Sequence, residues 1–183
     1  DELYKSIEKA CNDLNNIQTD KEFTFKIPPG GLKDKFHLDK RNEYHSDTVF
    51  GWLKKYREQE KKENQLIILV VDGYLKSNRL GNLFGTVSAT DGLAVFTIVD
   101  FKQFVNDIVR FCRYYLVRYA LSFLEPSIKT HDDPTRKECV FHKKMNKKEL
   151  KDSLYSGNIC QSCYDQLRPK LNTEINNSIK QRL

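Results

Sequence analysis

The run Cys139-Val-Phe-His142 is followed, seventeen residues later, by Cys160-Gln-Ser-Cys163. Within each pair a two-residue gap lets both side chains turn from a tight knuckle toward one point. Two such pairs, joined by a short loop and a helix, supply the four donors of a closed tetrahedral zinc site. Such a site cross-links the chain and contributes folding free energy, so it constrains the fold more than any other stretch. Spacing predicts Cys139, Cys160 and Cys163 as ligands and favours His142 as the fourth.

The remaining cysteines, Cys11 and Cys112, fall inside apolar helical patterns, where a free thiol behaves as a small hydrophobe. An odd count of 5 cysteines, three of them in the array, fits a reducing, cytoplasmic (intracellular) setting rather than a disulfide framework. No signal-peptide pattern opens the sequence. The longest apolar run, Leu66-Ile-Ile-Leu-Val-Val71, is far short of the roughly 18 residues a membrane span needs. No membrane partner is expected. The net charge of +6 lies wholly in the tail: residues 134–183 carry 11 Lys and Arg against 5 Asp and Glu, while residues 1–133 balance at 20 against 20.

Hydrophobic periodicity gives the elements. Leu3, Ile7, Ala10, Cys11, Leu14 and Ile17 recur at helical spacing, and Phe23-Thr-Phe-Lys-Ile27 alternates as a strand stopped by Pro28-Pro-Gly-Gly31. Residues 32–46 read as loop. Ser46-Asp47-Thr48 offers N-caps for a helix with Val49, Trp52, Leu53 and Tyr56 on one face. Gln65 to Val71 is continuously apolar, the expected centre of a sheet. The segments Asn82 to Ser88 and Leu93 to Val99 flank Ala89-Thr-Asp-Gly92, a hairpin signal. Phe101 to Leu124 is the longest helix, too apolar to lie anywhere but in the core. Its Arg110, Arg113 and Arg118 fall on the polar side. Asn146 to Tyr155 forms a helix capped by Asn146 and ended by Gly157, and a last helix opens at Cys163.

The predicted fold is therefore α/β (α+β), a mixed twisted sheet packed on a long core helix, with a zinc-knuckle or treble-clef-like tail. Residues 1–133 form the mixed domain, and 134–183 form the zinc-binding tail packed on it as one compact unit.

The order of elements over residues 64–163 resembles the archaemetzincins, a branch of the metzincin zinc peptidases. Ile68-Leu-Val-Val-Asp72-Gly-Tyr-Leu75 is similar to that family's strand ending in Thr-Asp-x-Asp-Leu. Asn82-Leu-Phe-Gly85 is similar to its Asn-Phe-x-Phe-Gly, and Val95 to Phe101 to the strand that follows. The family's zinc helix, His-Glu-x-x-His-x-x-Gly-x-x-His-Cys, leads into Cys-x-Met, seventeen residues and Cys-x-x-Cys. Here the tail reads Cys139-Val-Phe141, one residue more, and Cys160-x-x-Cys163. The resemblance covers a little over half of the chain.

The chain departs from the family where catalysis resides. Its histidines are 37, 45, 131 and 142, so no His-Glu-x-x-His occurs, and the corresponding helix reads Arg113-Tyr-Tyr-Leu-Val-Arg-Tyr-Ala-Leu-Ser-Phe-Leu124. A zinc peptidase needs two histidines one turn apart and a glutamate that activates water. His131 falls near the family's third histidine, Asp132 where its first structural cysteine would be, and Phe141 in place of its methionine. The resemblance thus implies a metzincin-like scaffold that has lost its catalytic zinc and kept a structural one. It also makes His131 or Asp132 a rival to His142 as fourth ligand.

Three functions are compatible with these residues. The first is a catalytically inactive, zinc-stabilised module that binds a protein or ligand within a larger assembly. The second is a zinc-dependent hydrolase with a site rearranged around His131, Asp132 and Asp133, joined by His37, His45 and Asp72. The third is nucleic-acid binding through Lys143, Lys144, Lys147, Lys148 and Lys151.

Overall fold

The structure, a computed structural model, describes residues 2–18, 23–28, 43–144 and 146–171. The expected turn after Pro28, the loop with His37 and the tail beyond Leu171 lie outside the described residues. In chain order the elements are α1 (Glu2–Ile17), β1 (Glu43–His45), α2 (Ser46–Gln59), β2 (Ile67–Val71), β3 (Tyr74–Lys76), β4 (Gly85–Ser88) and β5 (Leu93–Thr97), then α3 (Ile108–Leu124), α4 (Leu150–Ser156) and α5 (Gln161–Leu167). The architecture is mixed α/β. Two compact units form, Asp1–Ile27 with Phe101–Leu183, and Pro28–Asp100. These cuts differ from a division at 133/134.

In the Pro28–Asp100 unit a three-stranded sheet has the order β2-β5-β4, with β5 parallel to β2 and antiparallel to β4. The short strands β1 and β3 pair in parallel as a second sheet. The run ending at Val71 is not the sheet's centre. It forms β2, whose residues alternate between buried and half-buried, whereas every residue of β5 is buried and the strand is paired on both edges. Apolar length signalled burial, but pairing on both edges decides which strand is central. At the end of β5, buried Thr97 donates its hydroxyl to the Gly73 carbonyl at 2.6 Å and accepts from the Val99 amide at 3.0 Å.

Helix α2 lies against β5. Val49, Leu53 and Tyr56 bury themselves with Ile67, Leu69, Val71, Leu93 and Val95, each fully buried aliphatic side chain contributing about 1.5–3 kcal/mol. The helix is capped by the His45 ring, whose Nδ1 accepts from the Asp47 amide at 3.4 Å, rather than by Ser46, Asp47 or Thr48. Arg57 fastens the helix to the hairpin. Its guanidinium donates to the carbonyls of Gln65 at 2.9 Å and Gly92 at 2.7 Å, and to that of Asp91. The turn itself needs Gly92, which sits at φ 59, where a side chain is strained.

In the other unit α1 packs on α3. Ala10, Cys11 and Leu14 form the buried face of α1, and Asp13 pairs with Arg113 of α3 at 3.7 Å. The expected helix from Phe101 is divided. One 3-10 turn covers Phe101–Gln103, and α3 restarts at Asp107, whose carboxylate accepts from the amides of Val109 at 2.9 Å and Arg110 at 3.1 Å. Burial holds the thiols of Cys11 and Cys112 up at about 11 and about 12, so both stay protonated.

Residues 23–28 are not a strand, despite their alternation. Asn15 on α1 takes both backbone groups of Phe25, donating to its carbonyl at 2.8 Å and accepting from its amide at 2.9 Å, while Gln18 accepts from the Phe23 amide at 3.0 Å. Side chains of a helix satisfy the groups that a neighbouring strand would otherwise need to pair. Among the described residues no helix is long and apolar enough to cross a membrane.

Replacing Arg57 with Met keeps the packing stem and removes three hydrogen bonds, two to the hairpin turn and one to the segment entering β2. The expected loss is about 2 kcal/mol in urea unfolding, with the slope of the transition unchanged.

Candidate metal centre

The site is built from three segments of one unit. His131 follows α3 and is fixed by pairing with the stretch around His142: its amide donates to the Phe141 carbonyl at 3.2 Å, and its carbonyl accepts from the Lys143 amide at 2.6 Å. Cys139 ends the turn after Pro134–Arg136, its amide donating to the Arg136 carbonyl at 3.0 Å. The Val140 amide donates to Asn158 at 2.9 Å, which brings the knuckle beside the third segment. There Cys160 caps α5, and Cys163 stands in its first turn. The helix expected from Asn146 is divided: Asn146 caps a 3-10 turn, Lys147–Glu149, and α4 begins only at Leu150. The Asn146 side chain accepts from the Lys148 amide at 3.0 Å, and Gly157 ends α4 at φ 62.

The donor atoms of His131, Cys139, Cys160 and Cys163 all lie within 4.8 Å of one another. The Cys139 sulfur accepts from the backbone amides of Phe141 and Cys160, each at 3.4 Å. Hydrogen bonds from Cys163 first, then from Cys160, His131 and Phe141, hold the Cys139 thiol well below its ordinary range against the opposing effect of burial. Amides aimed at a sulfur favour thiolate, the form that binds metal. The Cys163 thiol is pushed the other way, by its hydrogen bond to the Cys139 sulfur first and then by burial.

This donor set fits zinc. A tetrahedron with Zn–S about 2.3 Å and Zn–N about 2.0–2.1 Å has an S···N edge of about 3.6 Å, and His131 Nε2 lies 3.5 Å from Cys160 Sγ. Three sulfurs and one imidazole complete four-coordination without water, as in structural sites.

His142, favoured by spacing, stands outside the cluster. It is 5% exposed, its ring lies edge-on to that of His131 with centroids 5.4 Å apart, and neither ring nitrogen has a partner. Burial, then the charges of Lys144 and His131, lower its pKa, so it packs as a neutral ring. Asp132 is exposed and also outside the cluster. Asp133 caps the Pro134–Arg136 turn, accepting from the Thr135 amide at 2.9 Å and hydroxyl at 2.7 Å, and pairs with Arg136 at 3.0 Å. Those contacts, the Thr135 hydroxyl foremost, hold its carboxylate below the usual range. His45 is engaged at the start of α2. Among the described residues no other group of three or more metal-capable side chains comes together.

Tyr114 is a supporting residue that periodicity alone passed over. Its buried hydroxyl lies 3.0 Å from Ser153 of α4 and 3.4 Å from the Val140 carbonyl, and accepts from Arg118 at 3.2 Å. It joins α3, α4 and the knuckle. The signal available was the Tyr114/Arg118 spacing of one helical turn. Arg110 likewise reaches α4, donating to the Tyr155 carbonyl at 2.9 Å and lying 4.6 Å from its ring centroid.

No protein-family model matches the sequence, and no curated protein matches it. Among solved structures, the chain is similar to a zinc-dependent peptidase from Methanocorpusculum labreanum (strain Z). That similarity has a TM-score of 0.60 at 15% identity and covers 89% of this chain and 93% of the other. At that identity the likeness is one of fold. The chain has a zinc-peptidase-like fold, with a Cys/His cluster near its C-terminus that could hold zinc.

Competition with a chromogenic chelator checks the ligand set. Cys139→Ser weakens zinc on the order of a hundredfold or more, because it removes a donor and the acceptor of two amides. His142→Leu leaves one zinc per chain with unchanged affinity, and is neutral or stabilising because it removes two unpartnered buried nitrogens.

Proposed function

We propose that the chain is an archaemetzincin-like domain that retains a structural zinc, does not hydrolyse peptides, and acts by binding a protein or ligand partner. The observation that carries this reading is the closed donor set of His131, Cys139, Cys160 and Cys163. A hydrolytic zinc keeps a position open for water, and these four side chains leave none. The sequence supports it further: α3, which the resemblance sets in the place of the catalytic helix, contains neither His nor Glu.

A protein partner fits the tail better than nucleic acid does. Lys143, Lys148 and Lys151 are exposed, but Glu138 and Asp152 are exposed among them, and Lys144 is occupied with the Lys137 carbonyl. A mixed surface gives specificity for another mixed surface rather than a continuous phosphate track.

Metal analysis of the purified chain should give one tightly held zinc, with no cleavage of unstructured peptides whether or not zinc is added. A second, exchangeable zinc accompanied by peptide hydrolysis would overturn the inactive reading. Removing the metal with a strong chelator should lower the unfolding free energy by at least about 3 kcal/mol, since metal binding at such a site is folding free energy.

A further inference from the structure

The cysteines of the cluster are not equally accessible. Cys139 and Cys163 are each 2% exposed, whereas Cys160 is half-buried. Two open clefts flank the centre. One of about 450 Å³ is lined by Cys139 and Cys160, and one of about 580 Å³ by His131 and Cys163. The two cysteines outside the centre, Cys11 and Cys112, are 5% and 0% exposed. A small solute can approach the centre from either cleft, and Cys160, the one cysteine of the three that is not buried, is the sulfur it meets most readily.

We propose that Cys160 makes the metal centre a peroxide-sensitive switch, in which oxidation converts Cys160 and Cys163 to a disulfide and expels the zinc. This rests on the structural-zinc reading above. The Cys160 thiolate attacks one peroxide oxygen, the O–O bond breaks, and the sulfenic acid and one water form after the leaving hydroxide takes a proton. The Cys163 thiolate then attacks the sulfenic sulfur, and hydroxide leaves as a second water. Two thiolates lose two electrons and one peroxide gains them, so no further oxidant is required. A disulfide sulfur is a poor zinc ligand, and His131 with Cys139 alone does not complete the coordination.

Local structure supports this route. Cys160 and Cys163 lie one turn apart at the start of α5, and all the donor atoms are within 4.8 Å of one another, so closing the bond requires side-chain rotation rather than transfer between distant segments. Loss of zinc would release His131 and Cys139 from α5. The turn with the Asp133 cap and the stretch leading to α4 would lose their common anchor. The device would thereby couple the redox state of one sulfur to the order of residues 126–163.

The test uses the full chain loaded with zinc and treated with hydrogen peroxide. Released zinc is followed with a chelating dye, and disulfides are mapped by mass spectrometry without reduction. The expected result is one zinc released per Cys160–Cys163 disulfide formed, reversed by a thiol reductant with added zinc. Cys160→His retains four donors and should release zinc about tenfold more slowly or less, since the remaining thiolates are buried. A chain carrying Cys11→Ala and Cys112→Ala should release it at the unaltered rate. Zinc retained under peroxide, release without that disulfide, or equal rates in Cys160→His would overturn the switch while leaving the structural zinc standing. A purified chain with no zinc at all would overturn both. If the histidine variant does not fold, the disulfide map of the unaltered chain decides the question alone.

Discussion

The sulfur of Cys139 receives two backbone amides, one from its own knuckle and one from Cys160 at the start of α5. That convergence fixes where three sequence-distant segments meet. His131 enters through pairing with residues 141–143, Cys139 through the turn after Pro134, and Cys160 with Cys163 through the cap and first turn of α5. Each segment is short and could not hold its conformation alone. A cation at their meeting point would supply the attraction that a larger apolar core supplies elsewhere. The hydrophobic contribution comes from behind, where Leu150, Leu154 and Leu167 are buried and Tyr114 joins α3 to α4 and Val140.

That arrangement separates stabilising chemistry from hydrolysis. Three thiolates and an imidazole would leave a bound ion little Lewis acidity and no open position for water, whereas a hydrolytic zinc needs both. The chain shares the fold of a zinc-dependent peptidase while its sequence contains no His-Glu-x-x-His, and the two are compatible because a fold does not dictate the chemistry of the sites built on it.

Much of this was legible in the sequence, and the exceptions share a cause. The gap in Cys160-x-x-Cys163 encodes one donor pair locally, whereas the same gap in Cys139-x-x-His142 brings only its cysteine to the cluster. The fourth donor was not encoded locally: His131 and His142 sit side by side in a parallel bridge, and which imidazole faces the sulfurs depends on that pairing. Both α1 and α2 followed from periodicity, as did the hairpin from Asp91-Gly92. The central strand was misassigned because β2 is the more apolar run while β5 has partners on both sides. Phe23 to Ile27 alternates like a strand, but Asn15 and Gln18 satisfy its backbone. Local pattern fixed the elements, whereas long-range pairing decided their roles.

One zinc held by three sulfurs and one imidazole, with no open position, has a distinct coordination shell. X-ray absorption at the zinc edge of the purified chain tests it most directly. The expected spectrum has about three sulfur scatterers at about 2.3 Å and one nitrogen at about 2.0 Å, with the imidazole outer-shell signal retained in His142→Leu and lost in His131→Ala. A first shell dominated by nitrogen and oxygen, or one containing an exchangeable water, would contradict it.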